Sequence, residues 1–547
     1  MFVIERVHIV IAAFLLLTLT MSGRVVFLHL YEKDFLQGQG DARTVRIDKI
    51  PAHRGMILDS QGKALAISTP VISLWAKPSE LLEATDSLQI LASMLDVEQV
   101  DFEEKLNKNR DKNFVYLRRH MPPSKARQIL DLKIKGVYSE REYKRFYPAG
   151  EVAAHIVGFT NVDDKGQEGI ELSYDTWLQG SPGKKKVLKN LYGEIIRDLE
   201  PVKDAMPGNN LELSIDLRLQ YLAYRELKNA VSLHQAESGS VVIIDVESGA
   251  ILALVNQPSY NPNNRQSLEL ASVRNRAVTD VFEPGSTVKP FTIAVALNSN
   301  RYSMNSTIDT NPGFVKVGSK TVPDPRNYGV LDLTGIIAKS SQVGITKLAL
   351  SLDAVDVWTM FSDVGFGRST EIGFPGERSG YLPNRRRWKD IERVTFAYGY
   401  GFQVTPLQLA AAYQVIASGG VKRRLSLIQT EFKEEERILS REVSRDLITM
   451  LASVVTNGTG SRAAIESFTV AGKTGTVRKV GKTGYLDTSH LAFFAGMTPV
   501  KKPKLVAVVM INDPKGEEYG GGAIAAPLFS KIMSEALRLM NIPPEAV

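Results

Sequence analysis

The sequence predicts an α+β domain over residues 211–547, a mixed α/β domain over 45–205 and one N-terminal transmembrane helix over 7–30. Three observations carry this reading. Strand-like runs open the last stretch (SVVIIDV, ILALV) and close it (FTVAGKTGTVRKV, LAFFAGMTPV, KLVAVVMIND), with mostly helix-patterned sequence between them. Terminal strands that share one sheet, with helices inserted between them, make an α+β domain. Near Leu211 the texture changes from the charged, Gly- and Asp-punctuated sequence before it. From Val7 to Gly23 the chain carries no formal charge, and after Arg24 the apolar character resumes through Leu30.

That first run of 17 residues is at the lower limit of what crosses a bilayer, roughly 17–25 residues. An anchor, a cleaved signal peptide and a buried core helix compete for it. Thr20-Met21-Ser22 is a poor match to a small-residue cleavage site, which favours the anchor, with residues 1–6 as a short cytoplasmic tail. Arg6 lies on one side of the run and Arg24 and Lys33 on the other, so basic residues alone do not orient it. Farther on, PAHRGMILDSQGKALAIS reads as short strands with turns at Gly55 and Asp59–Gly62, residues 80–135 have helical spacing, and Tyr147-Pro148-Ala149-Gly150 marks a turn. LELSIDLRLQYLAYRELKNAV passes from a strand into an amphipathic helix, Glu247-Ser248-Gly249 turns a hairpin, and a helix follows the last strand over 526–540.

With 44% hydrophobic and 23% charged residues the chain can bury ordinary cores. It has no cysteine, which excludes disulfides, thiolate metal sites and cysteine nucleophiles. Seven histidines without paired spacing argue against a catalytic metal, and no cofactor is expected. A net charge of +7 on 547 residues is compatible with an anionic membrane surface or a polyanionic wall and gives little support to nucleic-acid binding.

The chemistry centres on PGSTVKPFT, residues 284–292, where Ser286 and Lys289 fall on one face of a helix beginning there. A hydroxyl becomes a good nucleophile only when a base takes its proton. Lysine can be that base when its pKa of about 10.4 falls by roughly three units, worth about 4 kcal/mol. Burial and a neighbouring cation both act in that direction. S-x-x-K alone is a weak signal, since an N-cap serine beside an exposed lysine has the same spacing. Two companions strengthen it. Lys473-Thr474-Gly475-Thr476 sits mid-strand, with glycine where a ligand could approach the backbone, and Ser340-Ser341-Gln342 lies on the helical stretch IIAKSSQVGITKLAL. A second Lys-Thr-Gly at Lys482 sits in a hairpin turn and reads as turn chemistry.

This order of S-x-x-K, an S-x-N-like triplet and K-T-G resembles that of the penicillin-binding proteins. RGMILDSQGKALA (with Ser60 where arginine is usual), RFYPAGEVAAHIVGFTNVDDKGQEGIE, FAYGYGFQVTPLQLAAAY and TNGTGSRAA extend the resemblance to the class B penicillin-binding proteins of the septal, cell-division type over nearly the whole chain. It implies a penicillin-binding serine transpeptidase domain over 211–547, a pedestal (dimerisation-type) domain over 45–205, and an inner-membrane anchor with residues 31–547 on the periplasmic side. It also implies roles. Ser286 would attack the penultimate D-Ala carbonyl of a peptidoglycan stem pentapeptide, with Lys289 as general base and Ser340 relaying a proton to the leaving amine. Lys473 would depress Lys289 and, with Thr474 and Thr476, hold the substrate carboxylate. Backbone N–H groups of Ser286 and Thr476 would form the oxyanion hole beside Gly475, and Tyr398 and Tyr400 would wall the cleft. Gln342 stands where the family has asparagine. β-Lactams would be covalent inhibitors, and a polytopic glycosyltransferase and other division proteins the partners. An elongation-type transpeptidase, a carboxypeptidase or lactamase, and an acylated non-catalytic sensor are the competing readings.

Overall fold

The computed structural model describes residues 2–189, 195–266, 268–429, 434–481 and 484–545. Its first element is helix α1, Phe2–Leu30, whose stretch Arg6–Leu30 is long and apolar enough to cross a membrane and has none of its apolar window buried against protein. The chain packs as two units that do not follow its linear order. One comprises residues 1–54, 70–143 and 179–208; the other comprises 55–69, 144–178 and 209–547. Residues 55–69 and 144–178, which precede Leu211 in the chain, therefore pack with the larger unit.

In the smaller unit, strands Val45–Ile50, Gly183–Lys189 and Ile195–Lys203 form an antiparallel three-stranded sheet. The region 80–135, expected to be helical, contains the strand Val115–Met121, which pairs antiparallel with residues 72–76. The helices around it, Thr85–Met94, Gln99–Lys108 and Pro123–Leu130, bury Leu91, Phe102, Leu106 and Ile129 against Leu74. VYLRRHM carries enough charge to pass as a helix surface, but its β-branched and aromatic start and half-buried faces suit a sheet.

The larger unit is built on a five-stranded antiparallel sheet: β1 (Ser238–Asp245), β2 (Ile251–Gln257), β3 (Ala471–Gly481), β4 (Gly484–Thr498) and β5 (Leu505–Asn512), in the order β2-β1-β5-β4-β3. Strands from both ends of the domain thus meet at the β1–β5 pair, where Val242 faces Val508. Alternate residues point to opposite faces, and both faces are covered. Val242, Ile244, Val506 and Val508 join a core with Phe291, Leu407 and Leu447, whereas Val241, Ile243, Val509 and Ile511 pack with helices α2 (Leu217–Leu233) and α6 (Ala525–Leu539). Two-sided burial explains why these strands read as unbroken apolar runs. The arrangement leaves β3 at an edge, with one row of backbone groups free of strand pairing.

Candidate active site

Ser286 lies in a single 3-10 turn, Gly285–Val288, which runs directly into helix α3, Lys289–Asn298. The α-helix expected to begin at the serine starts three residues later. Side chains three apart eclipse in a 3-10 turn, so the serine and lysine still share a face. The turn is gripped from several directions. Gly285 (φ +50°) donates its N–H to Gly399 O at 2.9 Å, and Tyr413 Oη donates to Thr287 O at 2.8 Å. A Cβ on Gly285 would meet Val477 Cγ1 of β3 at 2.7 Å, and one on Gly399 (φ +97°) would lie 2.1 Å from Gly285 O. Both glycines are required by close approach. Ser286 itself is half-buried, while Gly285, Thr287 and Val288 are buried.

Lys289 and Lys473 are each fully buried, and both reach one hydroxyl. Ser340 Oγ is 3.3 Å from Lys289 Nζ and 3.0 Å from Lys473 Nζ. Lys289 Nζ also donates to Ser340 O at 2.7 Å and Ser341 O at 3.4 Å. Its bonds run to the Ser340 turn, and none links it to Ser286 Oγ among the described residues. Burial brings the Lys289 ammonium down to about 7, partly opposed by the Asp324 carboxylate. Burial first, and then the Lys289 charge, holds Lys473 well below the usual lysine range. Two amines sharing one hydroxyl in a dry site do not both stay charged, so one of them is available as a base.

Ser340 is not within a helix, contrary to expectation. Helix α4 (Leu333–Lys339) ends there, Ser340 takes a left-handed conformation (φ +58°), and helix α5 (Gln342–Ser351) starts anew. Ser341 caps α5 by accepting from Gly344 N at 2.9 Å, and its hydroxyl donates to Asp324 Oδ2 at 2.5 Å. Asp324 Oδ1 accepts the N–H groups of Gln342 and Val343. A carboxylate at a helix start satisfies donors that have no partner within the helix. Gln342 is thereby fixed through its backbone, and its side chain is half-exposed.

On β3, Lys473, Thr474 and Gly475 are buried and Thr476 is exposed. Thr474 Oγ1 lies 2.8 Å from Thr459 Oγ1, and Thr476 Oγ1 accepts from Gly521 N at 2.9 Å. A Cβ on Gly475 would come within 2.0 Å of the Phe493 ring, so glycine here serves core packing. Tyr398 is nearly buried, its phenol pushed up to about 12 by burial and then by Tyr400. The two rings meet edge to face at 5.7 Å, and Tyr400 continues to Tyr485 at 6.2 Å. Of the second Lys-Thr-Gly, Lys482 and Thr483 lie outside the described residues, while Gly481 and Gly484 pair across the end of the β3–β4 hairpin.

Sequence reasoning missed Asp324, Thr459 and Gly521. Thr459 falls in the quoted TNGTGSRAA segment, so it had a local signal. Asp324, 17 residues before Ser341, had none.

A doubly covered sheet with a serine turn, two buried lysines and a left-handed serine along its edge defines a serine acyl-transfer enzyme of the penicillin-recognising kind. The chain belongs to the penicillin-binding proteins: residues 239–534 match the penicillin binding protein transpeptidase domain and residues 49–213 the penicillin-binding protein dimerisation domain. It is 42% identical to the peptidoglycan D,D-transpeptidase FtsI of Escherichia coli K12, over 100% of this chain and 94% of that one. It is 40% identical to the probable peptidoglycan D,D-transpeptidase PbpC of Pseudomonas aeruginosa, over 99% and 96%. Among solved structures, the transpeptidase domain of penicillin-binding protein 3 from Burkholderia pseudomallei matches 61% of this chain and 98% of its own at a TM-score of 0.57 and 36% identity. Penicillin-binding protein 3 of Mycobacterium tuberculosis, complexed with aztreonam, matches 91% and 98% at a TM-score of 0.71 and 25% identity.

Proposed function

We propose that this chain is a membrane-anchored peptidoglycan D,D-transpeptidase of the septal type, acting through an acyl-enzyme on Ser286. The observation that carries this is the convergence of two buried lysines on Ser340 beside the serine turn. Ser286 Oγ adds to the penultimate D-Ala carbonyl carbon, and its proton passes to the neutral amine of Lys289. The N–H groups of Ser286 and Thr476 hold the resulting oxyanion, each worth about 3–4 kcal/mol in such a role. Collapse breaks the carbon–nitrogen bond. Ser340 Oγ gives a proton to the leaving amine of the terminal D-Ala and recovers one from the lysines. An amine of a second stem then enters the vacated position, loses its proton along the same path, and forms the new amide as Ser286 departs.

Lys473, Thr474 and Thr476 receive the substrate carboxylate, Gln342 meets the amide on the acyl side, and Tyr398 and Tyr400 border the cleft. The anchor orients residues 31–547 toward the periplasm, where a polytopic glycosyltransferase supplies the glycan. Labelled penicillin applied to the membrane-bound protein should form a stoichiometric adduct on Ser286 that Ser286→Ala abolishes. Persistent labelling of the alanine variant would refute the nucleophile. Depletion in cells should give filaments; spheres would transfer the enzyme to elongation.

A further inference from the structure

The three-stranded sheet of the smaller unit separates its charges by face. Directly opposed residues of antiparallel strands share a face. One face carries Arg46, Asp48, Lys185, Lys189 and Asp198, and its acids are matched: Lys185 pairs with Asp198 at 3.0 Å and Lys189 with Asp48 at 3.4 Å. The other face aligns Lys49 with Lys184 and Lys203, Ile47 with Lys186 and Glu200, and Leu188 with Arg197. There Lys186 alone has a carboxylate partner, Glu200. Lys49, Lys184, Arg197 and Lys203 are exposed and, among the described residues, take part in no ion pair. Glu194, between the second and third strands in sequence, lies outside the described residues. Even with Glu194 counted against it, this face keeps a positive surplus.

The basic face is also the one beside the helix that leads to the bilayer. The Lys186 ammonium is held above the ordinary lysine value first by Glu200 and in smaller measure by Asp41, which belongs to the helix Lys33–Thr44 between α1 and the sheet. That helix is about 18 Å long at 1.5 Å per residue, and only Tyr31 and Glu32 separate it from α1. Phe35 and Leu36 are exposed at its start, apolar side chains suited to the bilayer interface.

Resting on α1 as the membrane span, we propose that this face docks on anionic lipid headgroups around the exit of α1, through Lys49, Lys184, Arg197 and Lys203. Ile47, exposed on the same face, enters the interface with them. Each basic residue held at an anionic surface strengthens binding about fivefold, and the attraction acts within about 8 Å at physiological salt. The contact is thus a second signal beside α1: it orients the smaller unit on the bilayer and does not by itself retain the chain there. An acidic protein segment would meet the same charges, but continuity with α1 favours lipid.

The chain has no cysteine, so single probes can be placed cleanly. Ile47→Cys and, on the opposite face, Pro201→Cys each carry a fluorophore on the full-length protein. Each is assembled into nanodiscs of phosphatidylcholine alone or with about 30% phosphatidylglycerol, a small share of the lipid bearing a headgroup quencher. Quenching at Ile47→Cys should be about threefold stronger on the anionic discs. It should fall to the neutral-disc level near about 1 M salt, where the Debye length is about 3 Å. Pro201→Cys should not respond to lipid composition. Lys49→Gln, Lys184→Gln, Arg197→Gln and Lys203→Gln together should remove the response at Ile47→Cys. Equal quenching on the two kinds of disc would overturn the proposal and leave the face to a protein partner. So would an equal response at Pro201→Cys, or one that survives the glutamine substitutions. The salt and lipid comparisons need only the two probe variants, so the answer does not depend on the glutamine variant folding. A chain that fails to enter the discs would refute α1 as a span, and the proposal with it.

Discussion

Lys289 shows how far a single side chain can be carried from its solution chemistry. At an ordinary lysine value near 10.4, fewer than about one amine in a thousand is neutral at pH 7; at about 7, roughly half are. In the proposed mechanism the neutral amine is the base, so the second-order rate of penicillin acylation should rise about tenfold per pH unit below pH 7 and level off above it. A profile flat from pH 5 to 9 would assign the proton transfer to another group. Gln342 is the other residue with a distinct consequence. Its backbone is held by Asp324, so the extra methylene relative to asparagine has to be absorbed by the side chain. Gln342→Ala should cost about 1–3 kcal/mol of transition-state binding, with Gln342→Asn between it and the parent. Three equal acylation rates would show that the amide does not touch the ligand. The motifs of Ser286, Lys289, Ser340 and Lys473 stood out in the sequence by their fixed local spacing, and the structure brings the two lysines to one hydroxyl. Asp324 was not legible. Its role exists only once the strand–turn before it folds back on the start of α5, a non-local relation that no spacing rule encodes.

At the scale of elements, the sheet could be read from the sequence and the break within α4–α5 could not. SVVIIDV and KLVAVVMIND declare themselves as strands by unbroken β-branched runs, and their pairing closes the domain. IIAKSSQVGITKLAL keeps helical apolar spacing straight through Ser340, so periodicity sees one helix. What divides it is the second set of helix-start partners, Ser341 Oγ and Asp324, which lets the chain turn at Ser340 and begin again. The left-handed conformation costs a non-glycine residue about 1–2 kcal/mol. Ser340→Gly should therefore melt higher than Ser340→Ala, by the equivalent of about 1 kcal/mol, while both lose the shared hydroxyl and acylate slowly. Equal melting temperatures would show that the turn stores no strain. In the smaller unit the strand Val115–Met121 was missed for a different reason: its arginines and histidine hide the alternation on which strand recognition depends.

For the whole molecule, the consequential element is α1. Its 25-residue stretch Arg6–Leu30 measures about 37 Å at 1.5 Å per residue, against a hydrocarbon core of about 30 Å. Leu15, Leu16, Leu17 and Leu19 are all more than half exposed, so the described residues offer no surface that buries them. Left in water, each exposed leucine forgoes about 1.5–3 kcal/mol of burial, and the bilayer is the environment that supplies it. The catalytic elements all belong to the larger unit, which does not include α1. Deleting residues 1–30 should therefore move the protein from the membrane to the soluble fraction and keep its penicillin acylation rate within about threefold. A reporter that fluoresces only in the cytoplasm, fused after Val547, should stay dark on the full chain, as expected for one crossing with the catalytic unit outside. Bright, membrane-bound fusions would reverse the orientation. A truncated chain that stays in the membrane fraction after a high-salt wash would mean that a second surface, not α1 alone, holds the enzyme at the bilayer.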